Sequence, residues 1–240
     1  TMCDEGDTVI VEEPSFIGAL NAFRSNGAKL VGIPMEDDGI DIGKLEDAMK
    51  NNPRAKILYL IPTFQNPSGT CMSLEKRKKV YDLAKKYNII ILEDNPYGEL
   101  RFAGEEIPTI KSFDEDGYVV YSGSYSKVLS AGMRIGFICG PEAIVQKMVV
   151  AKQVEDVHTN IFFQMLCHRY IAECDIDKHV AHIRKLYKHK CDLMLSELDK
   201  KMPKCVKYTR PEGGLFLWCT LPDNISQPDF IKAAMAKKVA

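Results

Sequence analysis

Gly123-Ser124-Tyr125-Ser126-Lys127-Val128-Leu129-Ser130-Ala131-Gly132-Met133-Arg134-Ile135-Gly136 joins two β-rich runs, Tyr118–Ser122 and Ile135–Cys139. A strand that gives way to glycine, small hydroxylated residues and a lysine reads as one rim of a larger sheet. Working outward, further strands are predicted at Thr8–Glu12, Lys29–Pro34, Ala55–Ile61 and Ile89–Glu93. These runs are nearly continuous in apolar residues, as strands covered on both faces require. Helical patterns lie between them at Phe16–Ser25, Gly43–Lys50 and Leu74–Tyr87, and another follows at Pro141–Gln153. Ser73 suits an N-cap and Pro141 a first helical turn. The alternation predicts an α/β fold with a mostly parallel sheet sandwiched by helices.

From about Asp156 the pattern changes. Two long helices are expected at Asn160–Cys174 and Asp177–Met202, then strands at Val206–Thr209 and Leu215–Thr220 and a helix near Gln227–Lys238. The expected division is a large domain over residues 1–182 and the start of a smaller α+β C-terminal domain over residues 183–240. Thr1 leads almost directly into a strand, and Ala240 stops in the approach to another. A compact domain rarely starts and stops so, and the chain reads as a fragment of a longer polypeptide.

Composition narrows the function. Of 240 residues, 45% are hydrophobic and 27% charged, and the formal net charge is −1. That is an ordinary globular composition with no basic surplus for nucleic acid or an anionic membrane. No apolar run is long enough to cross a bilayer. The eight cysteines are scattered without a C-x-x-C pair, which fits reduced thiols and a cytoplasmic setting. His179 and His182 share a helix face with no matching ligand pair nearby, so a solvated face is expected there rather than a metal site.

In open α/β sheets, ligands bind beyond the carboxyl ends of the strands. The unusual residues fall at those ends: Pro14-Ser15-Phe16, Gln65-Asn66-Pro67-Ser68-Gly69, Asp94-Asn95-Pro96-Tyr97 and the Lys127 run. Taken singly they are weak signals, since Asn-Pro-x-Gly is usually a turn and most lysines are solvated. Their joint order suggests one crevice and one cofactor, pyridoxal 5'-phosphate (PLP). Lys127 can condense with an aldehyde and then move a proton at a substrate α-carbon. Asp94 can keep a pyridine nitrogen protonated by charge pairing. Tyr97 and Asn66 can donate to a phenolate oxygen, and Phe16 can stack on the ring. Ser124, Ser126 and Arg134 offer hydroxyls and a guanidinium fork to a phosphate. Gly213-Gly214 reads equally as a tight turn or as a close approach to a ligand.

With Glu13–Phe16, Tyr59–Gly69, Glu93–Tyr97, Lys127–Arg134 and Tyr208–Phe216 in hand, the chain resembles a fold-type I PLP-dependent aminotransferase of class I/II. It is most similar to the branch that holds 2-aminoadipate and aromatic aminotransferases, a branch also used as the effector domain of PLP-binding transcription regulators. The resemblance implies Lys127, Asp94 and Tyr97 as catalytic residues, and Phe16, Asn66, Ser124, Ser126 and Arg134 as further cofactor contacts. It also implies an amino acid and a 2-oxo acid as substrates, and a homodimer. Phe16 stands where the family commonly has Tyr or Trp. The family's glycine-rich phosphate-binding turn and first edge strand are expected upstream of Thr1, and its carboxylate-gripping arginine downstream of Ala240. Six of the family's seven strands are expected here, the last of them antiparallel. Alternative readings are a regulator's effector domain and a PLP lyase or decarboxylase on the same scaffold.

Overall fold

The computed structural model describes residues 2–239; Thr1 and Ala240, on which the expectation of cut ends rests, lie outside the described residues. Strands form at β1 (Thr8–Glu13), β2 (Lys29–Glu36), β3 (Gly39–Ile40), β4 (Ala55–Leu60), β5 (Ile90–Asn95), β6 (Val119–Ser124) and β7 (Gly136–Cys139). Helices intervene at α1 (Ile17–Ser25), α2 (Ile42–Asn51) and α3 (Leu74–Tyr87), and α4 (Glu142–Glu155) follows β7. Their ends are chemically marked. Asp41 accepts from the Lys44 amide at the start of α2, and Ser73 from the Lys76 amide at the start of α3. Asn88 closes α3 in the left-handed region, where asparagine is tolerated better than most residues. Pro141 stands just ahead of α4 as its N-cap.

The sheet runs in the order β3-β2-β1-β4-β5-β6-β7. The pairs among β2, β1, β4, β5 and β6 are parallel, whereas β7 is antiparallel to β6. The expected six strands are therefore present with an antiparallel last one, and two-residue β3 is an addition the sequence pattern missed. On one face, Ile10, Leu58 and Ile91 pack with Leu45 of α2 and Val80 of α3. On the other, Val9, Tyr59 and Ile61 pack with Leu20 and Phe23 of α1. One expectation fails: β7 is not covered on both faces, since all four of its residues are exposed.

Beyond α4 come α5 (Ile161–Glu173) and the long α6 (Ile176–Lys201), then β8 (Lys207–Tyr208), β9 (Cys219–Thr220) and α7 (Gln227–Ala236). The expected strand Leu215–Thr220 shrinks to its last two residues, because Phe216 packs into the apolar cluster beside Tyr97 instead of a ladder. Gly213 bridges Arg101 there, and the Gly214 amide donates to Leu100 O at 3.2 Å. Both glycines permit close approach to the chain itself, at Phe64 and Leu100, and Gly214 also makes a turn. A Cβ at Gly213 would lie 2.2 Å from Phe64 Cζ, and Gly214 holds φ at +71°.

Candidate active site

Parallel strands carry their carboxyl ends to the same edge of a sheet, and β1, β4, β5 and β6 are consecutive neighbours. The loops after these strands carry Phe16, Asn66, Tyr97 and Lys127, while Asp94 is the penultimate residue of β5 itself. Register sets how Asp94 is held. Tyr59 of β4 pairs with Leu92 of β5, two residues before Asp94 and on the same face. The Tyr59 hydroxyl consequently reaches Asp94 Oδ2 at 2.7 Å, and Ser122 of β6, in register with Asp94, supplies a second hydrogen bond.

Asp94 is half-buried and forms no ion pair among the described residues. Burial pushes its carboxyl above the usual carboxylate range, only partly offset by the Tyr59 and Ser122 hydrogen bonds. A carboxylate held in this way gains from a cation placed against it. Burial likewise raises the Tyr97 hydroxyl. Tyr97 is buried edge-on against Phe216, with ring centroids 5.5 Å apart. Asn66 Nδ2 donates to its hydroxyl at 3.3 Å, so amide and phenol share one spot.

On the β6 side, Ser124, Ser126 and Lys127 are half-buried. The Ser126 amide donates to Ser124 Oγ at 3.1 Å, which closes the turn locally. The Lys127 amine makes no hydrogen bond or ion pair among the described residues. Arg134 takes the left-handed conformation, φ +56°, and its guanidinium donates to Ala131 O at 3.2 Å. It makes no hydrogen bond to Ser124 or Ser126 among the described residues. Phe16 stands at the N-cap of α1, 38% exposed, its ring folded against Gly18.

The donor set suits PLP. An anion lacking a cation answers a pyridinium, an amide and a phenol answer a phenolate, and a primary amine answers an aldehyde. Two hydroxyls with a guanidinium answer a phosphate. Three supports were given no role from the sequence. Tyr59 was hidden in an apolar strand, where only register with β5 reveals it. Glu12 and Gln65 lie buried beneath the loops. His179, expected on a solvated face, is half-buried with its Nε2 2.8 Å from Val128 O, one residue past Lys127. His182 is exposed as expected, and no metal-binding group of His, Cys, Asp and Glu occurs among the described residues.

Known proteins resemble this chain over nearly its whole length. Aromatic-amino-acid aminotransferase 1 of Thermococcus litoralis is 43% identical over 98% of this chain and 57% of its own length. The crystal structure of a kynurenine aminotransferase from Pyrococcus horikoshii, in complex with PMP, superposes with a TM-score of 0.96. That structure is 42% identical and covers 100% of this chain and 60% of its own. An uncharacterized HTH-type transcriptional regulator of Bacillus subtilis is 30% identical over 96% of this chain and 48% of its own length. The chain thus spans about three-fifths of the aminotransferases it matches. The sequence model described as "Aminotransferase class I and II" matches residues 1–240, and the chain belongs to that family.

Proposed function

We propose that this chain forms the PLP-holding part of an aminotransferase that moves an amino group from an amino acid to a 2-oxo acid. The single observation that carries the reading is Asp94, a carboxylate with no cationic partner, on the same sheet rim as Lys127 and the Asn66–Tyr97 pair. When bound, PLP supplies an electron sink for negative charge at the substrate α-carbon. Asp94 keeps the ring nitrogen protonated. Tyr97 and Asn66 donate to the phenolate oxygen, and Phe16 covers the ring face. Ser124, Ser126 and Arg134 hold the phosphate, the arginine by turning its remaining N–H groups away from Ala131. Lys127 Nζ is the amine that would hold the cofactor's aldehyde, and it would take the proton from the substrate α-carbon and return it elsewhere.

The 43% identity to the Thermococcus litoralis aminotransferase exceeds the 30% to the transcriptional regulator, which favours catalysis over a sensing role. The division into a large domain over residues 1–182 and a smaller one from residue 183 belongs to the same reading. So do a homodimer and a cytoplasmic setting. Exposed apolar residues on α5, among them Phe162 at 67% and Met165 at 66%, favour burial against another surface. All eight cysteines are free, which suits a reducing compartment.

Adding PLP to the full-length protein should produce a visible absorbance band that Lys127→Ala abolishes. Mixing the loaded enzyme with an amino acid and 2-oxoglutarate should yield glutamate. A full-length protein that gives no band, or that releases ammonia or carbon dioxide without glutamate, overturns the proposal.

A further inference from the structure

Gln65 has no exposed surface, yet all its polar groups are engaged. Its amide donates to Thr70 O at 2.9 Å, and its carbonyl accepts from the Gly69 amide at 2.6 Å. Nε2 donates to Pro14 O at 2.8 Å and to Glu12 Oε2 at 3.2 Å. Oε1 accepts from the Ser68 amide at 2.8 Å. Glu12 Oε2 also accepts from the Ile61 amide at 3.0 Å. Every side-chain hydrogen bond between residues 12–16 and 61–70, among those described, runs through Glu12 or Gln65. One end of this bridge lies two residues before Phe16, and the other is adjacent to Asn66.

The bridge is an expensive way to fill space. A buried carboxylate with no cation carries a desolvation cost that an apolar pair of similar volume avoids. Glu12 Oε1 has no hydrogen-bond partner among the described residues. What a polar pair provides and an apolar one does not is a fixed direction and distance between two loops.

On the reading of the site given above, we propose that Gln65, anchored by Glu12, is a positioning residue. It sets the spacing between Phe16, which covers the ring face, and Asn66, which donates toward the phenolate oxygen. Neither Gln65 nor Glu12 touches the cofactor. Loosening the bridge weakens donation to the phenolate and makes it more basic, which raises the pH at which the lysine-linked cofactor loses its proton.

The test compares full-length wild type with Gln65→Leu, Glu12→Leu and Glu12→Gln by two readouts. In cofactor-free protein, Gln65→Leu and Glu12→Leu should each speed amide exchange about tenfold or more in residues 13–18 and 62–70, with β5 and β6 unchanged. In PLP-loaded protein, both should move the pH midpoint of the visible band upward by about one unit, a tenfold change in proton affinity. Glu12→Gln keeps an oxygen for Ile61 and Gln65 and should restore both readouts. Should Gln65→Leu not fold, Gln65→Glu retains the acceptor for Ser68, loses both donors, and should give the same two changes. A wild-type band with an unmoved midpoint in these variants overturns the positioning role alone. No band in wild type overturns the aminotransferase reading and this role with it.

Discussion

Two carboxylates beneath the sheet rim set its chemistry and give it a pH signature. Glu12 is fully buried without a cation, and burial raises its carboxyl from 4.5 to about 7 despite hydrogen bonds from Ile61 and Gln65. The folded state therefore binds this proton more tightly than the unfolded chain does. That contribution is complete below about pH 4.5 and is lost as pH climbs through about 7, a fall of about 3 kcal/mol. Denaturant titrations of cofactor-free protein from pH 4 to 8 should show that fall, and Glu12→Gln should remove most of it. The residual slope belongs to Asp94 and Glu93, both raised chiefly by burial. Asp94 also makes the sharpest catalytic prediction. Asp94→Asn keeps the shape of the side chain but not the charge that answers a pyridinium. It should lower kcat/KM by about hundredfold or more while the lysine-linked absorbance survives. Equal rates would remove Asp94 from the chemistry. Asp94, Lys127, Tyr97 and Asn66 were legible in the sequence because each is an odd residue following an apolar run. The roles of Glu12, Gln65 and Tyr59 were not, although Gln65 stands in one of the unusual runs, because a residue that supports another one looks like core or turn until strand register is known.

Among the elements, α3 shows how local signals and buried ones divide the work. Ser73 and Asn88 mark its ends in the sequence, and the predicted span Leu74–Tyr87 matches the helix. Arg77, inside it, is hidden from such a reading. It is completely buried with no carboxylate in ion-pair contact, and burial lowers its guanidinium from the usual arginine value. Its N–H groups instead serve backbone carbonyls: Met72 O at 2.9 Å, Pro62 O at 2.8 Å and Pro108 O at 3.0 Å. It also reaches Thr63 Oγ1 at 2.9 Å. Arg77 thus pins the start of the loop that carries Asn66 onto a helix of the opposite face. Arg77→Met fills much of the volume but strands several buried acceptors, and should destabilise the protein by about 3 kcal/mol or more in urea titrations. Ser73→Ala loses the cap and an exposed hydrogen bond donated to Asp38 Oδ2, and should cost about 1 kcal/mol. A pair of equal effects would show that Arg77 is not the tie between α3 and the loop. The C-terminal strands were the poorest part of the sequence reading for a related reason. Leu215–Thr220 is a nearly continuous apolar run, as a covered strand would be, but contact with Tyr97 outweighs the ladder for its first residues.

At the scale of the whole molecule, the order β3-β2-β1-β4-β5-β6-β7 lines up loops that are far apart in sequence. That order fixes where each loop can reach, and the segment from Pro211 to Leu217 closes over the result. Two glycines permit the closure. Gly213 leaves no room for a side chain: its Cβ would lie 2.2 Å from Phe64 Cζ and 2.7 Å from Leu100 O. The carbonyl of Leu100 is backbone and cannot swing aside, so the segment itself must lift. Lifting it breaks the Gly214 amide to Leu100 O bond and withdraws Phe216 from the Tyr97 ring. Gly213→Ala should therefore lower stability by about 2 kcal/mol. It should also loosen Tyr97, which shares its hydroxyl with Asn66 Nδ2. Calorimetry gives the first quantity, and the absorbance midpoint of PLP-loaded protein gives the second. Ala at the exposed position Gly43 in α2, where the nearest atom is Asp41 Oδ1 at 3.5 Å, provides the control and should neither lower stability nor move the midpoint. If Gly213→Ala changed stability but left the midpoint in place, the 211–217 segment would be packing alone. If both move, a segment more than eighty residues downstream of Lys127 governs the tuning of the site through one aromatic contact.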